Sequence, residues 1–226
     1  MAHPGCAFPA PTPPRQPSEF RLSVPAPLLA SFPNLPIWVA LIGACFGSFL
    51  NLVAWRLPRE ESILLPPSHC PHCGSRLRWY ENVPVLGWLW LRGLCGHCGA
   101  PIAIRYPLVE LLSAGLWVAC LQATPAAMGP RPLAWLVVLA GWLLLSWLLP
   151  LLLIDLDYLW LPEPLCRVGL LLGLGMTAII GFQQGEAVGR ALLFHHLLAA
   201  GVALVGFEGV SALAERLIGK PALGLG

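Results

Sequence analysis

Charged residues are scarce in this chain, and aspartate occurs only twice. Of the 226 residues, 11% are charged and 57% are hydrophobic, and the mean hydropathy is +0.73. A soluble domain carries about 25% charged residues, so this chain has too few polar side chains to cover its surface in water. The net charge of +2 is also too small to indicate a nucleic-acid partner. The composition predicts a protein whose solvent is the lipid bilayer.

The first 36 residues lack the features of a cleavable signal peptide. They contain ten prolines, and no basic stretch is followed by an apolar one. This composition is typical of extended or disordered segments. We therefore predict that residues 1–36 form a proline-rich, disordered tail.

Five long apolar segments follow the tail. About 20 residues in a helix, at 1.5 Å per residue, cross the roughly 30 Å of bilayer hydrocarbon. Each segment must be helical, because lipid offers no hydrogen-bond partners to an open backbone. The sequence therefore predicts an all-α polytopic membrane protein with about five transmembrane helices. They span residues 37–55, 107–122, 133–154, 165–182 and 191–213.

Arginine is concentrated between the first two apolar segments. The loop after the second segment, residues 123–132, has only Arg131. Because cytoplasmic loops are enriched in basic residues, we expect the first loop to be cytoplasmic and the N-terminus to lie outside. The end of the third helix then also lies on the cytoplasmic side. The arginines of the first loop are Arg56, Arg59, Arg76, Arg78, Arg92 and Arg105.

The same loop contains two Cys-x-x-Cys pairs, "CPHC" and "CGHC", each followed by glycine. Two such pairs allow four thiolates to converge on one ion with tetrahedral geometry. A pair of disulfides is the first alternative, which a cytoplasmic location disfavours. A redox-active pair is the second, but such pairs normally open a helix of a thioredoxin-like unit. We predict a structural zinc site formed by Cys70, Cys73, Cys95 and Cys98.

The two aspartates, Asp155 and Asp157, lie at the end of the third apolar segment. The simplest interpretation is that they end a helix in the headgroup region. The alternative is acid–base catalysis, in which two paired carboxylates share a proton. Positions i and i+2 of a helix are about 200° apart and do not face each other. A catalytic pair would therefore need a second aspartate from another helix.

Several sequence stretches, in one order, resemble the type IV prepilin leader peptidases. They are "GSFLNLVAWRLP", the two cysteine pairs, "YENVPVLGW", "RYPLVELL" and "IDLDYLWLPEPL". The resemblance extends from about residue 37 to the end of the chain. It implies a bifunctional enzyme of the bacterial inner membrane, an aspartic endopeptidase that also methylates the new pilin N-terminus.

The resemblance also implies roles for particular residues. Asp155 matches the first catalytic aspartate of the family, and Asp157 matches a neighbouring acid outside the catalytic pair. The substrates would be prepilins or pseudopilins with a short basic leader, cleaved at the cytoplasmic membrane face. The methyl donor would be S-adenosylmethionine. These proteins serve type IV pilus assembly or type II secretion.

This chain departs from the family pattern at two places. Pro162-Glu163 stands where the family usually has Pro-Asp. The family's second catalytic aspartate follows a Gly-x-Gly sequence, whereas this chain ends "KPALGLG". We expect the chain to be cut just before that aspartate and residues 1–226 to be inactive alone. Residues 37–106 would hold the first helix and the four-cysteine loop, and residues 107–226 the N-terminal part of the peptidase domain.

Two other functions are compatible with the same residues. One is a non-catalytic membrane scaffold with a zinc loop, and the other is a membrane thiol oxidoreductase. Bound zinc with reduced thiols would exclude the oxidoreductase, and a second downstream aspartate would distinguish the peptidase from the scaffold. Gly43 and Gly47 are expected to mediate helix packing, together with Ser48 and Asn51.

Overall fold

The structure, a computed structural model, describes residues 33–124 and 131–218. The helices of these ranges are α1 Leu35–Arg56, α2 Leu86–Trp90, α3 Arg105–Ala123, α4 Arg131–Tyr158, α5 Glu163–Gln183 and α6 Glu186–Ile218. Every helix except the short α2 is long and apolar enough to cross a membrane. The described ranges contain no strand, only two isolated β-bridges. The predicted all-α polytopic architecture with five membrane helices is confirmed.

Two predictions concern residues outside the described ranges. The predicted proline-rich tail covers residues 1–36, of which residues 1–32 are not described. The terminal "KPALGLG" stretch falls within residues 219–226, which are not described either. Both stay predictions.

Prolines and left-handed residues set the helix ends near the site. Pro36 lies in the first turn of α1, where its missing N–H has no helical partner to lose. A 3₁₀ turn, Leu57–Arg59, continues α1 until Glu60 adopts a positive φ of 57°. Pro162 precedes α5 in an extended conformation, so α4 and α5 form separate helices joined by a short loop.

Helices α1 and α3 cross closely at two glycines. A Cβ placed on Gly47 would lie 2.8 Å from the Cα of Glu110 and from the Cβ of Ser113. One placed on Gly43 would lie 3.0 Å from the Cα of Ala114. Only glycine permits this approach, because any side chain would have to displace backbone. The predicted packing role of both glycines is confirmed.

Two apolar clusters hold α4 against the α1–α3 pair, one near each end of the bundle. The first joins the ends of α1 and α4 to the start of α3, and Ile154 at its centre is fully buried. The second, at the opposite end, contains Val39, Trp117, Leu121 and Val138. In a water-soluble protein, burying a side chain of this size contributes about 1.5–3 kcal/mol to stability through the hydrophobic effect. Between helices in a lipid bilayer, van der Waals packing supplies much of the stabilisation instead. The first cluster fixes the end of α4, where both aspartates lie.

Large apolar side chains also cover the outside of the helices. Ile37 and Trp38 of α1 are 60% and 62% exposed, and Leu171 of α5 is 68% exposed. Exposed apolar area on this scale is characteristic of surfaces that contact lipid. Helices α5 and α6 pack on each other, and α5 also contacts α4. The chain is a multi-pass membrane protein.

Candidate active site and metal centre

The first cysteine pair is part of a tight knuckle. A β-bridge joins His69 to Arg76, and the Cys70 N–H donates to the Ser75 carbonyl at 3.0 Å. The Gly74 N–H donates to the Cys70 carbonyl at 2.9 Å, with Gly74 at a φ of +68°. Glycine occupies this left-handed position without a steric penalty. The knuckle turns both thiols toward the same side.

The second cysteine pair repeats this construction. Leu94 forms a β-bridge with Pro101, and the Cys95 N–H donates to the Ala100 carbonyl at 2.7 Å. The Gly99 N–H donates to the Cys95 carbonyl at 2.9 Å, and the φ of Gly99 is +70°. The glycine after each pair, visible in the sequence, is therefore the residue that allows the knuckle to close.

The two knuckles bring all four thiols together. The Sγ atoms of Cys70, Cys73, Cys95 and Cys98 all lie within 4.8 Å of one another, and those of Cys70 and Cys98 are 3.8 Å apart. Four sulfurs about 2.3 Å from a central zinc ion form a tetrahedron, whose edges are about 3.8 Å long. Cys70 and Cys95 are buried, and Cys73 and Cys98 are exposed. The four cysteines could therefore hold one metal ion of the zinc type.

The electrostatics of the cluster favour a cation. Hydrogen bonds from the Ser75 side chain and backbone lower the pKa of the Cys73 thiol to about 6. Hydrogen bonds from the backbone of Cys98 and His97 lower the pKa of Cys95. The Ala100 backbone acts in the same direction on Cys98, yet burial and the neighbouring thiols raise its pKa to about 11. Thiolates this close repel each other unless a cation lies between them.

The three histidines of the loop do not join this cluster. Within the described residues, the side-chain cluster that could hold a metal ion consists of the four cysteines alone. The Nδ1 of His69 is instead 3.0 Å from the Pro67 carbonyl oxygen. All four cysteines are free thiols, and turns, not helices, follow Cys70 and Cys95. The geometry resembles a closed metal site more than a redox-active pair at a helix start.

The two aspartates have different surroundings. Asp157 forms an ion pair with Arg105, the first residue of α3, with 2.5 Å between Oδ2 and the guanidinium Nη1. Asp155 is exposed and forms no ion pair with any residue of the described ranges. The two side chains project about 200° apart around α4. Since Asp157 faces α3, Asp155 projects away from it.

Several contacts fix this end of α4 in place. Ile154, directly before Asp155, is fully buried, and the Leu159 N–H donates to the Asp155 carbonyl at 2.8 Å. The guanidinium of Arg59 stacks on Trp55 of α1, 3.5 Å from the ring centroid, and lies 5.7 Å from the Tyr158 ring. Buried packing on one side and cation–π contacts on the other hold the backbone that carries Asp155.

Glu110 anchors the cysteine loop to α3. Its side chain is only 6% exposed, and its Oε2 accepts a 2.6 Å hydrogen bond from the Val85 N–H. Val85 has a φ of +61° directly before α2, a conformation that is strained for a β-branched residue. The buried carboxylate therefore stabilises a turn that would otherwise be unfavourable. Glu110 is the only acidic residue of α3, and a single carboxylate in an apolar helix indicates a packing or capping role of this kind.

Four other titratable side chains of α5 and α6 are exposed. Glu163 forms an ion pair with Arg167, one turn later in α5. Glu208 is exposed in the middle of α6. His195 and His196 are exposed as well, and each ring Nδ1 lies beside a carbonyl four residues earlier. Glu208 lies inside a candidate membrane span, so its exposure does not make it a solvated group.

The fold and this site define the class: a multi-pass membrane protein with a four-cysteine metal-type loop between its first two membrane helices. The bacterial peptidase A24 N-terminal domain family matches residues 41–124. The chain is 33% identical, over 210 residues, to the type 4 prepilin-like proteins leader peptide-processing enzyme of Escherichia coli. That match covers 85% of this chain and 72% of the relative. The chain belongs to the prepilin leader peptidase/N-methyltransferase family.

Two further relatives carry the name prepilin leader peptidase/N-methyltransferase. The one from Aeromonas hydrophila is 38% identical over 211 residues, covering 78% of this chain and 70% of the relative. The one from Myxococcus xanthus is 39% identical over 195 residues, covering 86% of this chain. The chain spans about half of the Myxococcus protein, 53% of its length. No solved structure matches the chain.

Proposed function

We propose that this chain is part of an aspartic leader peptidase that removes the basic leader from prepilins or pseudopilins. The observation that carries the proposal is the carboxylate of Asp155 at the fixed end of α4, which is exposed and forms no ion pair within residues 33–124 and 131–218, in a chain of this family. An aspartic peptidase needs one carboxylate to take a proton from water and another to polarise the peptide carbonyl. Asp155 supplies the first of the two.

The contact between Asp157 and Arg105 supports this assignment. The Oδ2 of Asp157 lies 2.5 Å from the Arg105 guanidinium, and this ion pair joins the end of α4 to the first residue of α3. Asp157 therefore orients α4 and leaves the chemistry to Asp155. The second carboxylate would come from another segment, and the family resemblance implies an aspartate after a Gly-x-Gly sequence. Residues 1–226 contain no third aspartate.

We also propose that the four-cysteine cluster binds structural zinc. Four thiolates complete a tetrahedral zinc site and leave no open position for water or substrate. The ion would hold the two knuckles together, and Glu110 would fix the loop on α3. Methyl transfer to the new pilin N-terminus would be the second activity, with S-adenosylmethionine as the donor.

Leader removal is the experiment that tests this function. We define the extended chain as residues 1–226 followed by the C-terminal part of the Myxococcus xanthus relative. It would be coexpressed with a pilin bearing a basic leader, in a host without its own leader peptidase. The intact mass of the pilin then reports cleavage. A pilin that keeps its leader, beside an extended chain that is inserted and folded, would contradict the proposal.

The arginine-rich loop is proposed to be cytoplasmic in the bacterial inner membrane, with the N-terminus outside. A topology reporter inserted at Gly74 is therefore expected to give a cytoplasmic signal. Gly185, between α5 and α6, is the matched position on the opposite side, because three membrane helices separate the two sites. A reporter there is expected to give a periplasmic signal. Signals of the reverse kind at the two positions would overturn the orientation.

A further inference from the structure

An open cavity of about 470 Å³ lies where α1 leaves the bundle. Its walls come from the end of α1, from the segment that follows the 3₁₀ turn, and from the first cysteine knuckle. We call it the α1 groove. The side chains that carry the inference are Leu52, Arg56, Ile63, Leu64, Arg76 and Trp79.

The α1 groove begins inside the membrane span. Leu52 belongs to the candidate span Leu35–Arg59 and forms part of the wall. From Leu52 to the end of that span is seven residues, or about 10 Å along a helix. The interfacial zone on each side of the hydrocarbon is about 5–8 Å thick. One wall therefore lies at the depth of lipid headgroups and upper acyl chains.

The charge in the α1 groove is entirely positive. Arg56 is only 5% exposed, and its guanidinium donates to the carbonyls of Ser62 at 2.9 Å and Pro66 at 2.8 Å. No carboxylate of the described ranges pairs with it. Arg76 is exposed and lines the same cavity, and no acidic side chain of the described ranges does so. A buried guanidinium without a counter-charge favours an anionic ligand.

The remaining wall is apolar and open. Leu64 is 78% exposed and Trp79 is 83% exposed, although both belong to a loop that returns to the membrane helices. Tryptophan is enriched at the boundary between hydrocarbon and headgroups. A cavity lined by two arginines together with exposed leucine and tryptophan therefore matches a molecule that is anionic at one end and apolar at the other.

We propose that the α1 groove binds an anionic phospholipid. Its phosphate lies at Arg56 and Arg76, and its acyl chains contact Leu52, Leu64 and Trp79. Basic pockets at membrane surfaces recognise anionic headgroups in this way. A basic leader peptide is disfavoured as an occupant, because the two arginines would repel it.

The test uses purified residues 1–226 in detergent, titrated with phosphatidylglycerol or phosphatidylcholine and analysed by native mass spectrometry. We expect phosphatidylglycerol to bind more tightly. Arg76→Gln is expected to weaken that binding about fivefold, the effect of one basic residue near an anionic surface. Arg76→Lys should keep most of the affinity. Arg92→Gln is the matched control, since Arg92 belongs to the same loop and lies outside the groove.

A second measurement covers the apolar wall. Phosphatidylglycerol with brominated acyl chains should quench the tryptophan fluorescence of the parent protein more than that of Trp79→Phe.

Equal affinity for phosphatidylglycerol and phosphatidylcholine would overturn the proposal. Equal losses of phosphatidylglycerol affinity in Arg76→Gln and Arg92→Gln would also overturn it. Full displacement of the lipid by inorganic phosphate would identify a free-anion site instead. Displacement by a lysine-rich leader peptide, with tighter peptide binding in Arg76→Gln, would assign the groove to substrate.

Discussion

Asp155→Asn is expected to abolish leader cleavage by the extended chain, while Asp157→Asn leaves measurable cleavage. Loss of one member of a catalytic unit removes most of its rate enhancement, on the order of 10⁴-fold or more in hydrolases. Asparagine has nearly the same shape as aspartate but cannot take a proton from water. The initial rate of leader removal, with each variant at equal membrane abundance, measures the effect.

Asp157→Asn is the matched control, two residues away on the same helix. It removes the ion pair with Arg105, which is partly exposed and is therefore worth about 0–1 kcal/mol. A loss of up to about fivefold is expected, and Arg105→Gln should cause a similar loss. The double variant should be no worse than either single one. Parental activity in Asp155→Asn would refute the assignment of Asp155.

Cys73→Ser is expected to lose zinc from a chain that otherwise contains about one ion. Four thiolates close a tetrahedral site, and serine is a far weaker ligand than thiolate. Removing a residue that only hydrogen-bonds to a metal ligand typically lowers the affinity for the metal about 10–100-fold. Replacing one of the ligands themselves should therefore lower the affinity for zinc by more than about 100-fold. Elemental analysis of purified residues 1–226 measures the zinc content directly.

Two other cysteines serve as controls for the zinc experiment. Cys45 in α1 and Cys166 in α5 are exposed free thiols outside the cluster, so serine at either position should leave the zinc content unchanged. A bound metal would also hold the two knuckles together, and its loss should make the loop more susceptible to proteolysis. Full zinc occupancy in Cys73→Ser would exclude the four-cysteine site.

The sequence predicted the membrane helices well, because a bilayer forces long apolar segments to be helical. Residues 133–154 were predicted as a span, and α4 extends over Arg131–Tyr158. The four-cysteine cluster was also predictable, since the glycine after each pair permits the left-handed turn that closes each knuckle. Both features are determined by residues that are close together in the sequence, so the sequence pattern alone is enough to predict them.

The contacts between distant residues could not be predicted. Asp157 lies 52 residues from Arg105, and Glu110 lies 25 residues from the Val85 N–H that it binds. Neither pairing has a fixed spacing, because each depends on how α3 and α4 pack against their neighbours. Without the family resemblance the two aspartates look equivalent in the sequence, whereas in the structure the ion pair with Arg105 distinguishes Asp157 from Asp155.

The most direct test of the central claim compares residues 1–226 with the extended chain in the prepilin coexpression assay. Of the two aspartates in residues 1–226, Asp157 is paired with Arg105, so Asp155 has no second aspartate with which to share a proton. We expect the extended chain to reduce the pilin mass by that of the leader and residues 1–226 alone to leave it unchanged. Efficient leader removal by residues 1–226 would contradict this account and would show that another group, such as Glu208, completes the site.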